Sequence, residues 1–270
     1  MSDLNESYPF RCKLEAPPRL MFITHRTPSR TEYDEARLVL AGGCAWVQLR
    51  MKTNLNEATA VSLVRLCRDA YPKAVVCIDD DVEIALRSGA DAVHLGKNDR
   101  PLREAWEIVG QYQQRQQQEQ QHRQQEQQRC QQDQQYRQQD QQHRQPYPQS
   151  CQPAPLDRPF FIGATANTFE DIRQAVSAGA SYIGLGPYRF TETKKKLSPI
   201  LGLEGYRKIV RQCKEANFQI PIFAIGGILL ADVAPLMETG IHGIAVSGAI
   251  IQAPDPAEET RKFLNELNKY

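Results

Sequence analysis

The sequence lacks an excess of charge of either sign, and it lacks an apolar run long enough to cross a membrane. Lys and Arg number 33 against 32 Asp and Glu, so the net charge of +1 gives no basis for general binding to nucleic acid or membrane surfaces. No apolar run approaches the roughly 18 residues that span a bilayer. Residues 1–18 are mixed and acidic, unlike a signal peptide, so we expect a cytoplasmic protein.

Paired cysteine motifs are also missing. Seven cysteines are present without any Cys-x-x-Cys pair, which argues against a structural zinc site or a disulfide framework. Most of them lie inside apolar segments, where buried thiols are expected. They are Cys12, Cys44, Cys67, Cys77, Cys130, Cys151 and Cys213.

Outside one interrupted region, short apolar runs alternate with amphipathic helical patterns. Eight such strand–helix units predict an α/β fold, a single (β/α)8 TIM barrel. Thr168 and Asp255 are typical helix caps, and a helix is predicted over Ala231–Thr239. An open doubly wound sheet is the competing fold, but no strand leads into the G-x-G-x-x-G turn of dinucleotide-binding sheets.

The interruption is a Gln-dominated tract at residues 111–152 with almost no aliphatic side chain. Such a tract buries too little apolar surface to offset the entropy of ordering, so disorder or a solvated single helix is expected. A tolerated expansion and a role in self-association or partner binding both stay open. The predicted organisation is an extension at 1–19, a barrel formed by 20–110 and 153–270, and an insertion at 111–152 between the fourth helix and the fifth strand.

Charged residues follow the second, third and fourth predicted strands, at the barrel end where functional groups collect. Gln48, Arg50 and Lys52 alternate onto one side, and two cations there suit a phosphate or diphosphate unless both are solvated surface groups. Asp80 and Asp99 follow adjacent strands and would suit Mg²⁺, although each could instead cap a helix.

The loops after the last three strands carry features of anion binding. A long loop at 186–196 bears hydroxyls and a Lys triplet, which suggests a lid over anionic groups. Gly226 and Gly227 follow the seventh strand, and Ser247 and Gly248 follow the eighth, where barrels commonly bind phosphate. The residues alone therefore indicate an enzyme that joins or processes two phosphorylated small molecules with Mg²⁺.

These motifs, in this order and with this spacing, resemble the thiamine phosphate synthase family. The resemblance covers essentially the whole chain except the Gln-rich tract and the first twenty residues. The segments that carry it are Gln48–Lys52, Ile78–Asp80, Val93–Asp99, Gly184–Pro187, Thr191–Lys194, Ala224–Ile228 and Val246–Ala249.

The resemblance implies condensation of hydroxymethylpyrimidine diphosphate with thiazole phosphate, with release of pyrophosphate and a requirement for Mg²⁺. It assigns the metal to Asp80 and Asp99. It assigns the pyrimidine diphosphate to Gln48, Arg50, Lys52, Asp79, Thr165 and Lys194. It assigns the thiazole phosphate to Thr191, Thr193, Gly227, Ser247 and Gly248.

The sequence departs from the family pattern at three of these motifs. Asp79 stands where the family usually has Asn, Lys97 where it often has Gln, and Gly248 where it often has Ser. Two other functions are weighed: a thiazole tautomerase, whose catalytic His corresponds to Asn167 here, and a non-catalytic barrel with a Gln-rich interaction segment. Asn cannot shuttle a proton, which favours the synthase. The expected partners are small-molecule substrates, and the sequence leaves a homo-oligomer open.

Overall fold

The computed structural model describes residues 14, 17–138, 158–190 and 199–270, and within them eight parallel strands close into a barrel in the order β1 to β8. β1 pairs with both β2 and β8, which closes the sheet and confirms the predicted TIM barrel. The strands are β1 Leu20–Ile23, β2 Trp46–Leu49, β3 Val75–Asp79, β4 Ala92–Leu95, β5 Phe161–Ala166, β6 Tyr182–Leu185, β7 Ile222–Ile225 and β8 Gly243–Val246.

Helices follow the strands around the outside of the barrel, and the sequence caps are used as predicted. Thr168 accepts from the backbone of Asp171 at one helix start, and Asp255 accepts from Glu258 at another. The helices are α1 Glu32–Ala41, α2 Glu57–Ala70, α3 Val82–Ser88, α4 Leu102–Gln138, α5 Phe169–Ser177, α6 Gly202–Glu215, α7 Val233–Met237, α8 Gly248–Ile251 and α9 Pro256–Leu267.

The helix predicted over Ala231–Thr239 is shorter than expected. A 3₁₀ turn occupies Leu230–Asp232, and α7 ends at Met237. Pro235 has no N–H to donate to the carbonyl of Ala231, so the α-helical ladder cannot extend back to that residue.

Large aromatic side chains fill the barrel interior near the amino-terminal ends of the strands. The Trp46 ring packs edge-on against Tyr182 and Phe223, with both centroids 5.1 Å away. Gly163 is required beside them, because a Cβ at this position would overlap the Tyr182 ring. Since this end is plugged, a ligand can enter the barrel axis only from the carboxyl-terminal end.

Ionic contacts tie together the chain segments at the amino-terminal end. Asp91, directly before β4, is buried and accepts from the Val76 N–H at 2.7 Å. Its carboxylate also receives Arg68 Nη2 at 2.6 Å and Arg158 Nη1 at 3.2 Å. Arg158 thereby anchors the chain just before it enters β5.

Helix α4 packs on the barrel through its first turns and then continues beyond it. Ala105, Trp106 and Val109 are buried, and Trp106 Nε1 donates to the carbonyl of Gly179 at 3.0 Å. Residues 121–129 are exposed. In the part of the chain that the structure covers, no helix is both long and apolar enough to span a bilayer.

Candidate active site

A cavity of about 570 Å³ opens at the carboxyl-terminal ends of the strands. One wall consists of side chains at the carboxyl end of β5 and in the loops after β2 and β4, among them Thr165, Arg50 and Asp99. The opposite wall consists of the turns after β7 and β8, including Gly227, Ser247 and Gly248. One cavity is therefore lined by members of both predicted groups, Arg50 and Thr165 from the first and Gly227, Ser247 and Gly248 from the second. Gln48, Asp79 and Asp80 are not part of the lining itself and adjoin it through Arg50 and Asp99.

Asp79 is the centre of a hydrogen-bonded group on the first wall. Gln48 Nε2 donates to Asp79 Oδ1 at 2.6 Å, and Arg50 Nε lies 3.3 Å from Asp79 Oδ2. Both Gln48 and Asp79 are buried, and Gln48 Oε1 has no hydrogen-bond partner among the described residues. The Asp at this position, where the family usually has Asn, is thus accommodated by two donors from β2 and its loop.

Asp80 and Asp99 come together as the adjacent strand ends require. Asp99 Oδ2 accepts the N–H of Gly96 at 2.5 Å, which fixes its carboxyl close to the backbone after β4. Partial desolvation, the charge of Asp79 and contact with the Asp99 carboxyl raise the pKa of Asp80 to about 7. Burial and the neighbouring carboxylates both disfavour the charged form of Asp80, and a bound cation would offset both effects.

Thr165, at the carboxyl end of β5, is held by a buried polar chain inside the barrel. Its hydroxyl lies 2.9 Å from His94 Nε2, and His94 Nδ1 lies 3.3 Å from the hydroxyl of Tyr182. The Tyr182 hydroxyl in turn lies 3.3 Å from Cys77 Sγ. Burial raises the pKa of Tyr182 well above its ordinary value, so the phenol stays protonated.

The second wall is formed largely by backbone. Gly226 and Gly227 have φ values of 96° and 68°, the left-handed region that glycine adopts without strain. Ser247 precedes α8, and its Oγ is buried without a hydrogen-bond partner among the described residues. A ligand oxygen at this wall would satisfy that hydroxyl.

Some of the predicted residues are placed elsewhere. Lys52 lines an adjoining smaller cavity together with His25, Arg26 and Arg50. Three others, Thr191, Thr193 and Lys194, lie outside the described residues.

Two contacts at this end of the barrel were not anticipated from the sequence. Arg189 forms a two-pronged ion pair with Asp232, in which Nη1 donates to Oδ2 at 2.5 Å and Nη2 donates to Oδ1 at 2.8 Å. Asn167 donates its side-chain amide to the carbonyl of Gly186. The first pair is separated by 43 residues in the chain, so no local pattern could have indicated it.

Comparison with known proteins agrees with this geometry. The family model described as thiamine monophosphate synthase matches residues 20–114 and 148–250. A thiamine-phosphate synthase of Bacteroides fragilis is 43% identical over 249 residues, covering 91% of this chain and 98% of the relative. The chain belongs to the thiamine monophosphate synthase family.

Further relatives of this synthase family extend the comparison. A thiamine-phosphate synthase of Phocaeicola vulgatus is 45% identical, covering 91% of this chain and 96% of the relative. The solved structure of thiamine phosphate pyrophosphorylase from Pyrococcus furiosus has a TM-score of 0.67 and 26% identity, covering 95% of this chain and 98% of that one. As a member of this family, the chain is an enzyme of the transferase class.

Proposed function

We propose that this protein condenses hydroxymethylpyrimidine diphosphate with thiazole phosphate to give thiamine phosphate and pyrophosphate. The bond between the pyrimidine methylene carbon and the diphosphate oxygen breaks, and its electron pair leaves with pyrophosphate. The lone pair of the thiazole nitrogen then forms the new carbon–nitrogen bond. No proton needs to be transferred from an enzyme group, so the enzyme's contribution is alignment and charge stabilisation.

The observation that carries this proposal is the two-walled cavity. A cationic and carboxylate wall after β2–β5 faces a backbone wall after β7 and β8 across about 570 Å³. A cavity of that size accommodates two small phosphorylated molecules side by side. Single-substrate phosphate chemistry would use only one of the walls.

On the first wall, Arg50 and Lys52 would bind the diphosphate, and Lys194 would join them from the loop after β6. Arg50 Nε lies 3.3 Å from Asp79 Oδ2. The contact with Asp79 therefore uses one edge of the guanidinium, and the rest of the group extends beyond that carboxylate. Gln48, Asp79 and Thr165 would contact the pyrimidine. Because Asp79 receives Gln48 and Arg50, its charge is balanced before the substrate binds.

Asp80 and Asp99 fit Mg²⁺ by the chemistry of their donors. Two carboxyls in contact, one with a pKa raised to about 7, form a site whose negative charge Arg50 offsets only in part. Mg²⁺ is usually held by one or two carboxylates, with waters and substrate phosphates as the remaining ligands. When bound, the ion supplies charge neutralisation to the diphosphate and to the departing pyrophosphate. Among the described residues, no group of three or more His, Cys, Asp or Glu could hold a metal.

On the second wall, Gly227, Ser247 and Gly248 would bind the thiazole phosphate. Thr191 and Thr193, which lie outside the described residues, are assigned to the same phosphate by the resemblance. Ser247 would contribute its buried hydroxyl, which has no hydrogen-bond partner in the part of the chain that the structure describes. Gly227 and Gly248 would contribute backbone N–H groups. Gly248 is the first residue of α8, and the first N–H groups of a helix have no acceptor within the helix. The backbone N–H of residue 248 is present with either Ser or Gly, so Gly248 retains this donor and lacks only the hydroxyl that the family often has at this position.

The deciding experiment is to incubate the purified full chain with both substrates and to measure thiamine phosphate and pyrophosphate. We expect both products in equal amounts, only when both substrates and Mg²⁺ are present. Omission of either substrate is the matched control. Product without thiazole phosphate, or pyrophosphate without thiamine phosphate, would contradict the proposal.

A further inference from the structure

The turn after β7 is held by a side chain that belongs to neither wall of the cavity. Arg189, in the loop after β6, donates from Nη1 to the carbonyl of Gly227 at 2.8 Å. Its own N–H donates to the carbonyl of Gly226 at 3.1 Å. Both carbonyls of the glycine pair are therefore bound by one residue.

Asp232 holds Arg189 in that position. The carboxylate receives both terminal nitrogens of the guanidinium, at 2.5 and 2.8 Å, and Asp232 is buried. Asp232 Oδ2 also accepts the N–H of Leu229 at 2.7 Å. A two-pronged pair with one nearly buried partner is far more rigid than an ordinary surface ion pair.

The geometry of the peptide bond turns this contact into an effect on the cavity. In a trans peptide the C=O and the following N–H point in opposite directions. With the carbonyls of Gly226 and Gly227 bound by Arg189, the N–H groups of Gly227 and Ile228 point away from Arg189. These three residues line the cavity, so the two N–H groups are presented on its second wall.

We infer that the Arg189–Asp232 pair is a positioning device that presents the Gly227 and Ile228 N–H groups to the phosphate of the thiazole substrate. Arg189 acts through the backbone of the turn and binds no substrate atom itself. The inference rests on the proposed function, since it assigns a positioning role within the same cavity.

The test is a steady-state comparison of the full-length chain with Arg189→Ala, Arg189→Lys and Asp232→Asn. We expect Arg189→Ala to raise the KM for thiazole phosphate by roughly tenfold, because small displacements of binding groups carry large kinetic costs. The KM for the pyrimidine diphosphate should stay within about twofold, since the other wall is untouched. Asp232→Asn retains an acceptor for the Leu229 N–H, and Arg189→Lys retains one charge–charge contact, so both should give intermediate values of KM.

Arg173→Ala is the matched control. Arg173 makes an equally two-pronged pair with Glu170, at 2.8 and 2.7 Å, but on the exposed surface of α5. It should leave both KM values unchanged. Equal rises in both KM values for the Arg189 or Asp232 variants would overturn the inference, and so would no change in either KM. If Arg189→Ala does not fold, Arg189→Lys and Asp232→Asn provide the test.

The wild-type protein separates this inference from the function itself. If the wild type makes no thiamine phosphate, the proposed function fails. If the wild type is active and the variants bind thiazole phosphate normally, only the positioning role fails. Inorganic phosphate gives a second readout: it should compete with thiazole phosphate in the wild type and much less in Arg189→Ala.

Discussion

Two aspartates at opposite ends of β4 have opposite electrostatic surroundings. Asp91, before the strand, is buried and receives two arginines and a backbone N–H. Asp99, after the strand, accepts one backbone N–H and meets the carboxyl of Asp80. The charge of Asp91 is balanced within the protein, whereas that of Asp99 is left for something that binds.

This difference indicates what each end of the barrel contributes. The amino-terminal end combines the aromatic plug with balanced ion pairs, and these stabilise the fold. The carboxyl-terminal end keeps the carboxyls of Asp80 and Asp99 together, at some cost in stability. Local conflicts of this kind are expected where a protein binds ligands.

The largest effect should come from removing charge at the carboxyl-terminal end. We expect Asp80→Asn and Asp99→Asn each to lower the condensation rate at least about a hundredfold, because each removes an anionic ligand of the metal. The measurement is the initial rate as a function of Mg²⁺ concentration. The melting temperature should stay the same or rise, because the carboxyl–carboxyl repulsion is relieved. Rates near wild type in either variant would remove the metal assignment.

An Asp→Asn substitution at the other end of β4 should lower stability and leave activity unchanged. Asp91→Asn leaves Arg68 and Arg158 without their buried counter-charge and should lower the free energy of unfolding by about 2 kcal/mol, because both arginines are partly exposed to solvent. The activity per folded molecule should be preserved, because Asp91 lies at the end of the barrel away from the cavity. Urea denaturation followed by circular dichroism gives the first quantity, and rates corrected for the folded fraction give the second. A variant that is stable but inactive would contradict the division between the ends.

The architecture and the charged strand ends could be predicted from the sequence, because both depend on local patterns. The eight-stranded closed barrel and the helix caps Thr168 and Asp255 are as predicted. Hydrophobic periodicity and helix capping depend on residues only a few positions apart, so both can be recognised in the sequence alone.

The contacts that organise the ends could not be predicted in this way. Arg158 meets Asp91 across 67 residues, and Arg189 meets Asp232 across 43. Each of these residues is an ordinary charged residue in its own segment. Only closure of the barrel brings the partners together, so the sequence identified which strand ends carry charge but not how those charges are held.

The pH dependence of stability at a third carboxylate tests the comparison between balanced and unbalanced charges. Glu35 on α1 is fully buried, and its Oε2 accepts the N–H of His25 at 2.7 Å. Burial, with a contribution from Glu32, raises the pKa of Glu35 from 4.5 to about 7. A carboxyl whose pKa is raised by folding binds a proton more tightly in the folded state, so its contribution to stability is present at low pH and is lost as pH rises towards 7.

Glu35→Gln should remove this dependence. We expect the free energy of unfolding of the variant, relative to wild type, to increase by about 2 kcal/mol between about pH 5 and pH 8. Gln keeps an oxygen that can accept the His25 N–H, so the local structure should persist. The measurement is urea denaturation of both proteins across that range. A difference that is independent of pH would mean that Glu35 is ionised in the folded protein.

The smallest effect should come from the part of α4 farthest from the cavity. The helix has 37 residues and so extends about 55 Å, while its buried contacts lie in its first turns. Barrel helices run antiparallel to the strands, so α4 starts beside the cavity end and its continuation extends past the amino-terminal end. We propose that residues 111–152 are an insertion into a barrel formed by 20–110 and 153–270, with an extension at 1–19. The two ranges matched by the family model leave out residues 115–147, which supports this proposal.

Replacement of residues 115–152 by a Gly/Ser linker tests it. The cut spares Tyr112, which packs against the core, and Gln113, whose Oε1 is buried. It also spares Arg158, which holds the chain at Asp91.

Loop-closure entropy changes only logarithmically with length, so the free energy of unfolding should shift by no more than about 1 kcal/mol. Because residues 115–138 of α4 lie beyond its packed first turns, on the side away from the cavity, kcat and both KM values should stay within about twofold. A linker variant that folds normally by circular dichroism but loses activity would show that the tract contributes to the cavity or to an active assembly, and sedimentation of both proteins would separate those two cases.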